Sequence, residues 1–180
     1  MRVVLASSSP QRREILSKLG VDFEIAIPGV DELSGGDPAV EVVENARMKA
    51  RAVEAGPDAL VIACDTDVAL DGKALGKPQG EVEAREYLDR MSGRGHEVLS
   101  GLVILEGDEE RSGLERTRVF FKELSAAEKE RYVRFGEWRG RSGGYAIQTL
   151  GSTLVERLEG SVSNVVGLLS ELAPGLFEAS

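Results

Sequence analysis

Apolar runs alternate with amphipathic segments along the chain, and each predicts one element of secondary structure. Short apolar or alternating runs predict a strand that starts at Val61 and further strands at 2–6, 21–27, 97–105, 114–124 and 153–158. Apolar residues at helical spacing predict helices at 10–20, 38–55, 81–91, 126–135 and 165–172. No internal repeat, low-complexity segment or long linker interrupts this alternation.

Capping signals place the starts of two of these helices. Ser9 is a good N-cap and Pro10 suits the first helical position, while Gly20 suits the C-terminal end of the same helix. Ser125 and Glu128 have the spacing of a capping box, which predicts that the fourth helix begins at residue 126. Both starts are therefore predicted from local chemistry alone.

Charged residues follow the central apolar run within residues 61–78. The run ends on Asp65 and Asp67, and a second short strand with an Asp-Gly hairpin turn then returns the chain to Lys77. Because a short hairpin brings its ends together, an acid at the end of a buried strand would face a lysine across a cleft. Such a pair can hold a divalent metal and a polyphosphate. A surface hairpin with a salt bridge explains the same residues equally well.

A serine-rich turn separates the first strand from the first helix. It carries Ser7 and Ser9, and Arg12 lies in the first helical turn. Backbone N–H groups at a helix start attract anions, and arginine there opposes the helix dipole unless an anion such as phosphate binds. A plain capped helix with exposed arginines is the alternative. The turn is not a P-loop, because G-x-x-x-x-G-K-[ST] occurs nowhere in the chain.

Several other residues are candidates that also have an ordinary structural explanation. Glu32 lies in a polar loop where solvated acids are common, and Lys49 lies on a helix where a lysine usually faces solvent. The glycine-rich, polar stretch 137–148 either closes over a ligand or forms a mobile connector. His96 is the only histidine, and without an evident cysteine or serine partner it is predicted to be structural.

Length and composition fit one domain and argue against several classes of protein. The 180 residues can bury a proper core, and the hydrophobic (42%) and charged (29%) fractions are ordinary for a globular protein. A net charge of −9 argues against a nucleic-acid surface, which needs a basic stripe. One cysteine permits no internal disulfide and fits a reducing cytoplasm. No apolar run reaches membrane length, and the N-terminus lacks a signal-peptide core.

Five stretches, in order along nearly the whole chain, resemble the motifs of the Maf-type nucleoside triphosphate pyrophosphatases, a septum-formation-associated family. They are LASSSPQRR at 5–13, CDT at 64–66, GKP at 76–78, GYAIQ at 144–148 and GSVSNVVGL at 160–168. The resemblance implies a single α/β domain over 1–180, with a twisted mixed β-sheet and flanking helices that form two lobes around a central cleft. It also implies metal-dependent hydrolysis of a nucleoside triphosphate to the monophosphate and pyrophosphate, with Mg²⁺ or Mn²⁺ as cofactor, and a homodimer.

The resemblance also assigns expected roles to single residues. Asp65 matches the catalytic acid that accepts a proton from water, and Glu32 joins it as an expected metal ligand through oxygen. The expected substrate-binding residues are Ser7, Ser9, Arg12, Lys49 and Lys77. The three cations among them can offset the roughly four negative charges of a triphosphate, so that a nucleophile can approach.

Three positions are expected to select the base, namely Gln11, Thr66 and Gln148. Family members that act on thymidine and uridine triphosphates tend to have arginine, threonine and glutamine there, whereas those that act on 7-methyl-guanosine triphosphate tend to have tryptophan, glutamine and glutamate. Gln11 departs from both sets, and the other two residues match the pyrimidine set. The expected substrates are therefore dTTP, UTP or CTP, or modified nucleotides, with 7-methyl-GTP as the alternative.

Hydrolysis of this kind would make the protein a cytoplasmic housecleaning enzyme of the nucleotide pool, a hydrolase acting on acid anhydrides. Two other functions stay open at this point. One is a non-catalytic nucleotide-binding regulator of cell division that retains the pocket, and the other is a general phosphatase that releases orthophosphate. The acid and the cleft lysines are all present, which favours an enzyme over the regulator. Neither a membrane nor a nucleic acid is an expected partner.

Overall fold

The fold is organised around one open β-sheet. The structure, a computed structural model, describes residues 2–167. Its strands are β1 (Arg2–Ala6), β2 (Glu24–Ala26), β3 (Ala59–Leu70), β4 (Lys73–Ala74), β5 (Gly95–Glu106), β6 (Glu109–Phe121) and β7 (Val155–Glu159). They lie in the order β2-β1-β3-β5-β6-β7, with β4 paired to β3. Because β1 is parallel to β2 and β3 while the other pairs are antiparallel, the predicted mixed α/β fold is confirmed.

Helices flank the sheet, and capping explains where two of them begin. They are α1 (Pro10–Lys18), α2 (Pro38–Arg51), α3 (Glu81–Met91), α4 (Ala126–Phe135) and α5 (Val162–Val166). The predicted capping box of α4 is confirmed, because Ser125 and Glu128 each bond the other's backbone N–H. Ser9 is the N-cap residue of α1 as predicted, but its hydroxyl donates to Gln11 instead of capping the backbone. Within the described residues, no helix has both the length and the hydropathy to cross a membrane.

The helices cover the two faces of the sheet differently. Because strand side chains alternate between faces, Val61 and Ala63 of β3 pack on one face against α2. On the other face, Ile62 packs against α1. Farther along β3, Val68 lies on the same face as Ile62 and packs in a cluster with α3 and α4. The helix α1 and the α3–α4 pair therefore cover one face at opposite ends of β3, with residues 65–67 between them.

One edge of β3 is open midway along the strand. β1 pairs with this strand as far as Ala6 opposite Ala63, and β4 pairs with it only from Ala69 opposite Ala74. In the part of the chain that the structure describes, no other strand pairs along this edge between those contacts. Residues 65–67 are only half-buried, although both ends of the strand are buried. A strand that is otherwise core therefore opens onto a cleft at its centre.

A glycine in β5 lets α2 approach the sheet very closely. Gly101 pairs with Asp65 across β3 and β5, and a Cβ atom at Gly101 would lie 2.3 Å from the carbonyl oxygen of Val42 in α2. Backbone contact at this distance requires a residue without a side chain. The contact fixes the position of α2 over Asp65, and therefore the positions of the side chains on its next two turns.

Several predicted boundaries were wrong because strand pairing overrides the local signal. β3 runs unbroken through the two acids at which the sequence predicts a strand end, since β5 pairs with it continuously. The chain turns between β5 and β6 at 107–108, so β6 begins at Glu109 and not at the predicted residue 114. The second strand, predicted at 21–27, is shortened to three residues. The last helix begins earlier than predicted, at Val162, and residues 168–172 lie outside the described residues.

The one cysteine of the chain lies in the core. Cys64 is buried in β3 and packs on the face that α1 covers. Desolvation raises the pKa of its thiol to about 11. A thiol in these surroundings stays protonated at neutral pH and acts as a small apolar side chain.

Replacing Gly101 with alanine is expected to lower the free energy of unfolding by about 1–3 kcal/mol, because the added methyl group overpacks the contact with Val42. Chemical denaturation followed by the fluorescence of Trp138 measures the change. Gly29→Ala is the control, since a Cβ atom there meets no other atom within 4 Å. Equal stability of the two variants would show that α2 can move away from β5 at little cost.

Candidate active site

A cavity of about 460 Å³ opens at the unpaired edge of β3. Its walls come from the turn after β1, the middle of β3, α2, the stretch 139–148 and the end of α5. All ten residues predicted for the site line it: Ser7, Ser9, Gln11, Arg12, Glu32, Lys49, Asp65, Thr66, Lys77 and Gln148. The fold therefore brings together residues that are widely separated in the sequence.

Asp65 is held at both of its carboxylate oxygens. The Lys49 ammonium donates to Oδ1 over 2.6 Å, and the Asn45 amide donates to Oδ2 over 3.1 Å. Both donors lie on α2 four residues apart, so they share one face of the helix. The side chain of Asp65 is 13% exposed, and this small exposed part lies on the cavity wall.

Lys49 bridges two carboxylates. Its ammonium lies 2.6 Å from Asp65 Oδ1 and 2.6 Å from Glu32 Oε1, and only 10% of its side chain is exposed. The solvent-facing alternative for Lys49 is therefore wrong, and the side chain of Glu32 reaches from an exposed loop into the site. Hydrogen bonds between charged groups are the strong ones, so this bridge holds the loop against α2.

Glu32 and Asp65 converge on one point, which suits a cation that prefers oxygen ligands. That point is now occupied by the Lys49 ammonium, so a metal that used both carboxylates would bind beside the lysine or in its place. Among the described residues, no cluster of three or more His, Cys, Asp or Glu side chains could hold a metal. Mg²⁺ is commonly held by one or two carboxylates together with the phosphates of its substrate. The pair fits that arrangement, and it does not form a closed protein cage.

Arg12 is held by three acceptors from distant parts of the chain. Its Nε donates to the Gly167 carbonyl oxygen over 2.9 Å, its Nη1 to Ser7 Oγ over 3.2 Å and its Nη2 to Thr66 Oγ1 over 3.1 Å. These acceptors are uncharged, so the contacts orient the guanidinium without neutralising it. Arg12 is 9% exposed, which makes the exposed-arginine alternative wrong for this residue.

Thr66 belongs to a hydrogen-bond network behind the cavity wall. Besides its contact with Arg12, its hydroxyl lies 2.8 Å from Ser100 Oγ, and Ser100 donates to the Asn164 carbonyl oxygen over 3.3 Å. The network ties β3, β5 and α5 together. Gly167 joins the same network because its carbonyl oxygen accepts from Arg12, and its φ of +110° is a backbone conformation that favours glycine.

The stretch 139–148 forms one wall of the cavity and is anchored at two points. Ser142 Oγ donates to Asp67 Oδ1, and the Tyr145 hydroxyl lies 2.8 Å from Nε2 of His96. Burial raises the pKa of Asp67 and lowers that of His96 to about 4, so the imidazole is neutral at pH 7. Because the stretch is anchored at both points, the prediction that it lines a ligand site is favoured over the alternative of a mobile connector. His96 itself does not line the cavity, in agreement with the predicted structural role.

Lys77, Gln11 and Gln148 are less constrained than the acid and its partners. Lys77 and Gln148 are exposed, and Gln11 is half-buried. Gln11 accepts a hydrogen bond from the Ser9 hydroxyl over 3.1 Å. Lys77 makes no ion pair with any residue that the structure describes, so the surface hairpin with a salt bridge does not explain it.

Sequence analysis missed four residues in or beside the site. Asn45 bonds the central acid, Arg139 and Arg141 line the cavity, and Ser100 supports the network behind it. Asn45 could have been found from its spacing, one helical turn before Lys49. The two arginines lie in the glycine-rich stretch that was already a candidate for closing over a ligand. Ser100 had no local signal, because its position depends on the register between β3 and β5.

Two solved structures have a limited overall likeness to this chain. A HAM1 protein from Coxiella burnetii aligns with a TM-score of 0.49 at 16% identity, covering 99% of this chain and 100% of that one. The Staphylococcus aureus Ham1 protein aligns with a TM-score of 0.48 at 18% identity, covering 67% of this chain and 72% of that one.

The sequence of this chain is similar to those of other proteins over most of its length. A dTTP/UTP pyrophosphatase of Deinococcus radiodurans is 47% identical over 168 residues, which cover 92% of this chain and 86% of that protein. A dTTP/UTP pyrophosphatase of Pyrococcus furiosus is 44% identical over 172 residues, which cover 93% and 89%. The family model described as Maf-like protein matches residues 2–178. Since this match spans nearly the whole chain, the protein belongs to the Maf family.

Proposed function

We propose that this protein is a nucleoside triphosphate pyrophosphatase, which converts pyrimidine nucleoside triphosphates to the monophosphate and pyrophosphate. The observation that carries the proposal is Asp65, fixed by Lys49 and Asn45 on the wall of a cavity that also presents Arg12 and Lys77. An oriented carboxylate beside several cations suits base-assisted attack on a polyanion. Membership of the Maf family and the similarity to proteins named dTTP/UTP pyrophosphatase support the same activity.

Asp65 is the proposed general base. Its carboxylate is fixed by donors at both oxygens and still lies on the cavity wall. It accepts a proton from a water molecule, whose oxygen attacks the α-phosphorus of the bound triphosphate. The bond from the α-phosphorus to the oxygen that bridges to the β-phosphorus breaks, and pyrophosphate leaves with that oxygen. One water molecule is consumed, and the products are the nucleoside monophosphate and pyrophosphate.

We propose Mg²⁺ or Mn²⁺ as the cofactor, with Glu32 and Asp65 as its protein ligands. When bound, a divalent cation offsets the negative charge of the phosphates and orients their oxygens. Because only these two carboxylates converge on one point within residues 2–167, phosphate oxygens and water would supply most of the other ligands. The metal is therefore expected to bind mainly together with the nucleotide.

Positive charge for the triphosphate comes from several parts of the chain. Arg12 and Lys77 line the cavity, and Arg141 adds a cation from the glycine-rich stretch. Ser7 and Ser9 lie at the start of α1, where backbone N–H groups attract anions. Arginine adds a planar pair of donors that matches phosphate oxygens. This set supports a polyphosphate as the ligand even though the chain as a whole is acidic.

The residues proposed to select the base differ in how free they are to contact it. The Thr66 hydroxyl already bonds Arg12 and Ser100. Its oxygen therefore has about one lone pair left to accept a hydrogen bond from a ligand. Gln148 is exposed at the cavity, and Gln11 also lines it. Each amide offers a donor and an acceptor to the edge of a pyrimidine. A site that pairs with a base edge rejects analogues that leave its own groups unpaired.

The alternatives are a 7-methyl-GTP pyrophosphatase of the same family, a non-catalytic regulator of cell division and a general phosphatase. The acid and the cleft lysines all line the cavity, which favours catalysis over binding alone.

The cytoplasmic location, the link to septum formation, the homodimer and the lack of a nucleic-acid partner stay predictions.

Asp65→Asn is expected to lower kcat by about 10²- to 10⁴-fold, because the amide keeps the shape of the side chain but cannot accept the proton. Steady-state release of pyrophosphate measures the loss. Asp71→Asn is the matched control just after the same strand, and near-normal kcat is expected because Asp71 is exposed, pairs with Arg94 and does not line the cavity. A folded Asp65→Asn protein with near-normal turnover would remove Asp65 from the mechanism.

Incubation with dTTP or UTP and Mg²⁺ is expected to give the monophosphate and pyrophosphate in equal amounts as the first products. Anion-exchange chromatography separates the products, and EDTA is expected to stop the reaction until Mg²⁺ or Mn²⁺ is restored. Nucleoside diphosphate with orthophosphate would replace the proposal with a general phosphatase. Nucleotide binding without turnover under any metal condition would favour the regulator.

The wild-type enzyme is expected to have a higher kcat/KM for dTTP, UTP and CTP than for ATP, GTP and 7-methyl-GTP, since the amides at the cavity suit a pyrimidine edge. Gln11→Arg is expected to sharpen this preference mainly through kcat/KM. Gln79→Arg adds the same charge at an exposed position outside the cavity and is the control. A wild-type enzyme that favours 7-methyl-GTP would show that Thr66 and Gln148 do not set the base.

A further inference from the structure

Asn45 connects α2 to two other parts of the site. Its Nδ2 donates to Asp65 Oδ2 over 3.1 Å and to the Leu33 carbonyl oxygen over 3.1 Å. Its Oδ1 accepts from the Leu33 N–H over 2.7 Å. The residue is 4% exposed. One buried amide therefore contacts both the proposed base and the backbone of the residue that follows Glu32.

These contacts match the chemistry of asparagine. Its two N–H groups have two acceptors, and its carbonyl oxygen has one donor, so both ends of the amide are satisfied. An aspartate at position 45 would have no proton for Asp65 or for the Leu33 carbonyl, and it would place a second negative charge beside Asp65. A glutamine would bring an additional methylene group into a buried contact, which forces neighbouring groups to shift.

We propose that Asn45 is a positioning residue, which sets the orientation of the Asp65 carboxylate and the place of Glu32 relative to it. This inference rests on the proposed function. Because Asn45 holds Oδ2, Oδ1 of Asp65 is directed at the Lys49 ammonium, the point on which Glu32 also converges. Without the amide, the carboxylate loses one of its two donors and the loop of Glu32 loses two hydrogen bonds to α2.

The expected cost falls on turnover rather than on substrate binding. Asn45 does not line the cavity, so its removal takes no direct contact from the nucleotide. Loss of a group that orients a metal-binding residue typically costs about 10- to 100-fold in affinity or activity. Asn45→Ala is therefore expected to lower kcat by about 10- to 100-fold with little change in KM.

The decisive comparison is between Asn45→Ala and Asn45→Asp, each measured per folded molecule. Asn45→Asp keeps the shape and the hydrogen bond from the Leu33 N–H, but it removes the donated bonds and adds a negative charge beside Asp65. Both variants are expected to lose kcat, whereas Val40→Ala, on the exposed side of the same helix, is expected to match the wild type. If Asn45 were merely structural, denaturation midpoints would fall while kcat per folded molecule stayed normal, and that result would overturn the proposal.

A double-mutant cycle with Glu32→Gln tests whether Asn45 also acts through Glu32. The loss of kcat caused by Asn45→Ala is expected to be smaller in the Glu32→Gln background, since the effects of mutations at residues in one hydrogen-bond network do not add. The electron paramagnetic resonance spectrum of Mn²⁺ bound with a non-hydrolysable α,β-imido nucleotide is expected to change in Asn45→Ala, because Glu32 and Asp65 are no longer held in the same arrangement. Additive losses together with an unchanged Mn²⁺ spectrum would overturn the link to Glu32.

The failure of this inference can be distinguished from failure of the proposed function. A wild-type protein that releases no pyrophosphate from any nucleoside triphosphate would remove the function and the inference together. An active wild type with a fully active Asn45→Asp variant would remove the inference alone.

Discussion

The close contact between α2 and β5 at Gly101 is the constraint on which the site depends. The backbone of Val42 rests on a residue without a side chain, and the strand partner of that residue is Asp65. The next two turns of α2 therefore carry Asn45 and Lys49 directly to the two oxygens of Asp65. A larger residue at the contact would lift the helix and separate the acid from both donors. The geometry at the proposed base is thus a consequence of packing at one glycine.

Charge is divided within the site in a way that suits an anionic ligand. Removing ions from water costs several kcal/mol each, and the Lys49 ammonium compensates by bonding Glu32 and Asp65 together. Arg12 is oriented by uncharged acceptors, so it keeps its full charge for a ligand. The net charge of −9 describes the whole chain, whereas recognition of a phosphate depends only on the local cations.

The cavity exists because one edge of β3 is left unpaired between the end of β1 and the start of β4. Polar residues can then occupy the centre of a strand whose two ends are core. Another wall of the cavity is the stretch 139–148, which is anchored through Ser142 to Asp67 and through Tyr145 to His96. Asp67 and His96 do not line the cavity, but they hold this wall in place.

The sequence alone predicted the family motifs, ten residues that line one cavity and the capping box at Ser125, because these signals depend on residue type and short spacing. It could not show that β3 continues through Asp65, since only pairing with β5 overrides the local signal for a strand end. Nor could it assign Lys49 to both acids, or place the Asn45 amide against Asp65 and Leu33. Those contacts join residues 12 to 20 positions apart, and they exist only once strand register and helix packing bring the segments together.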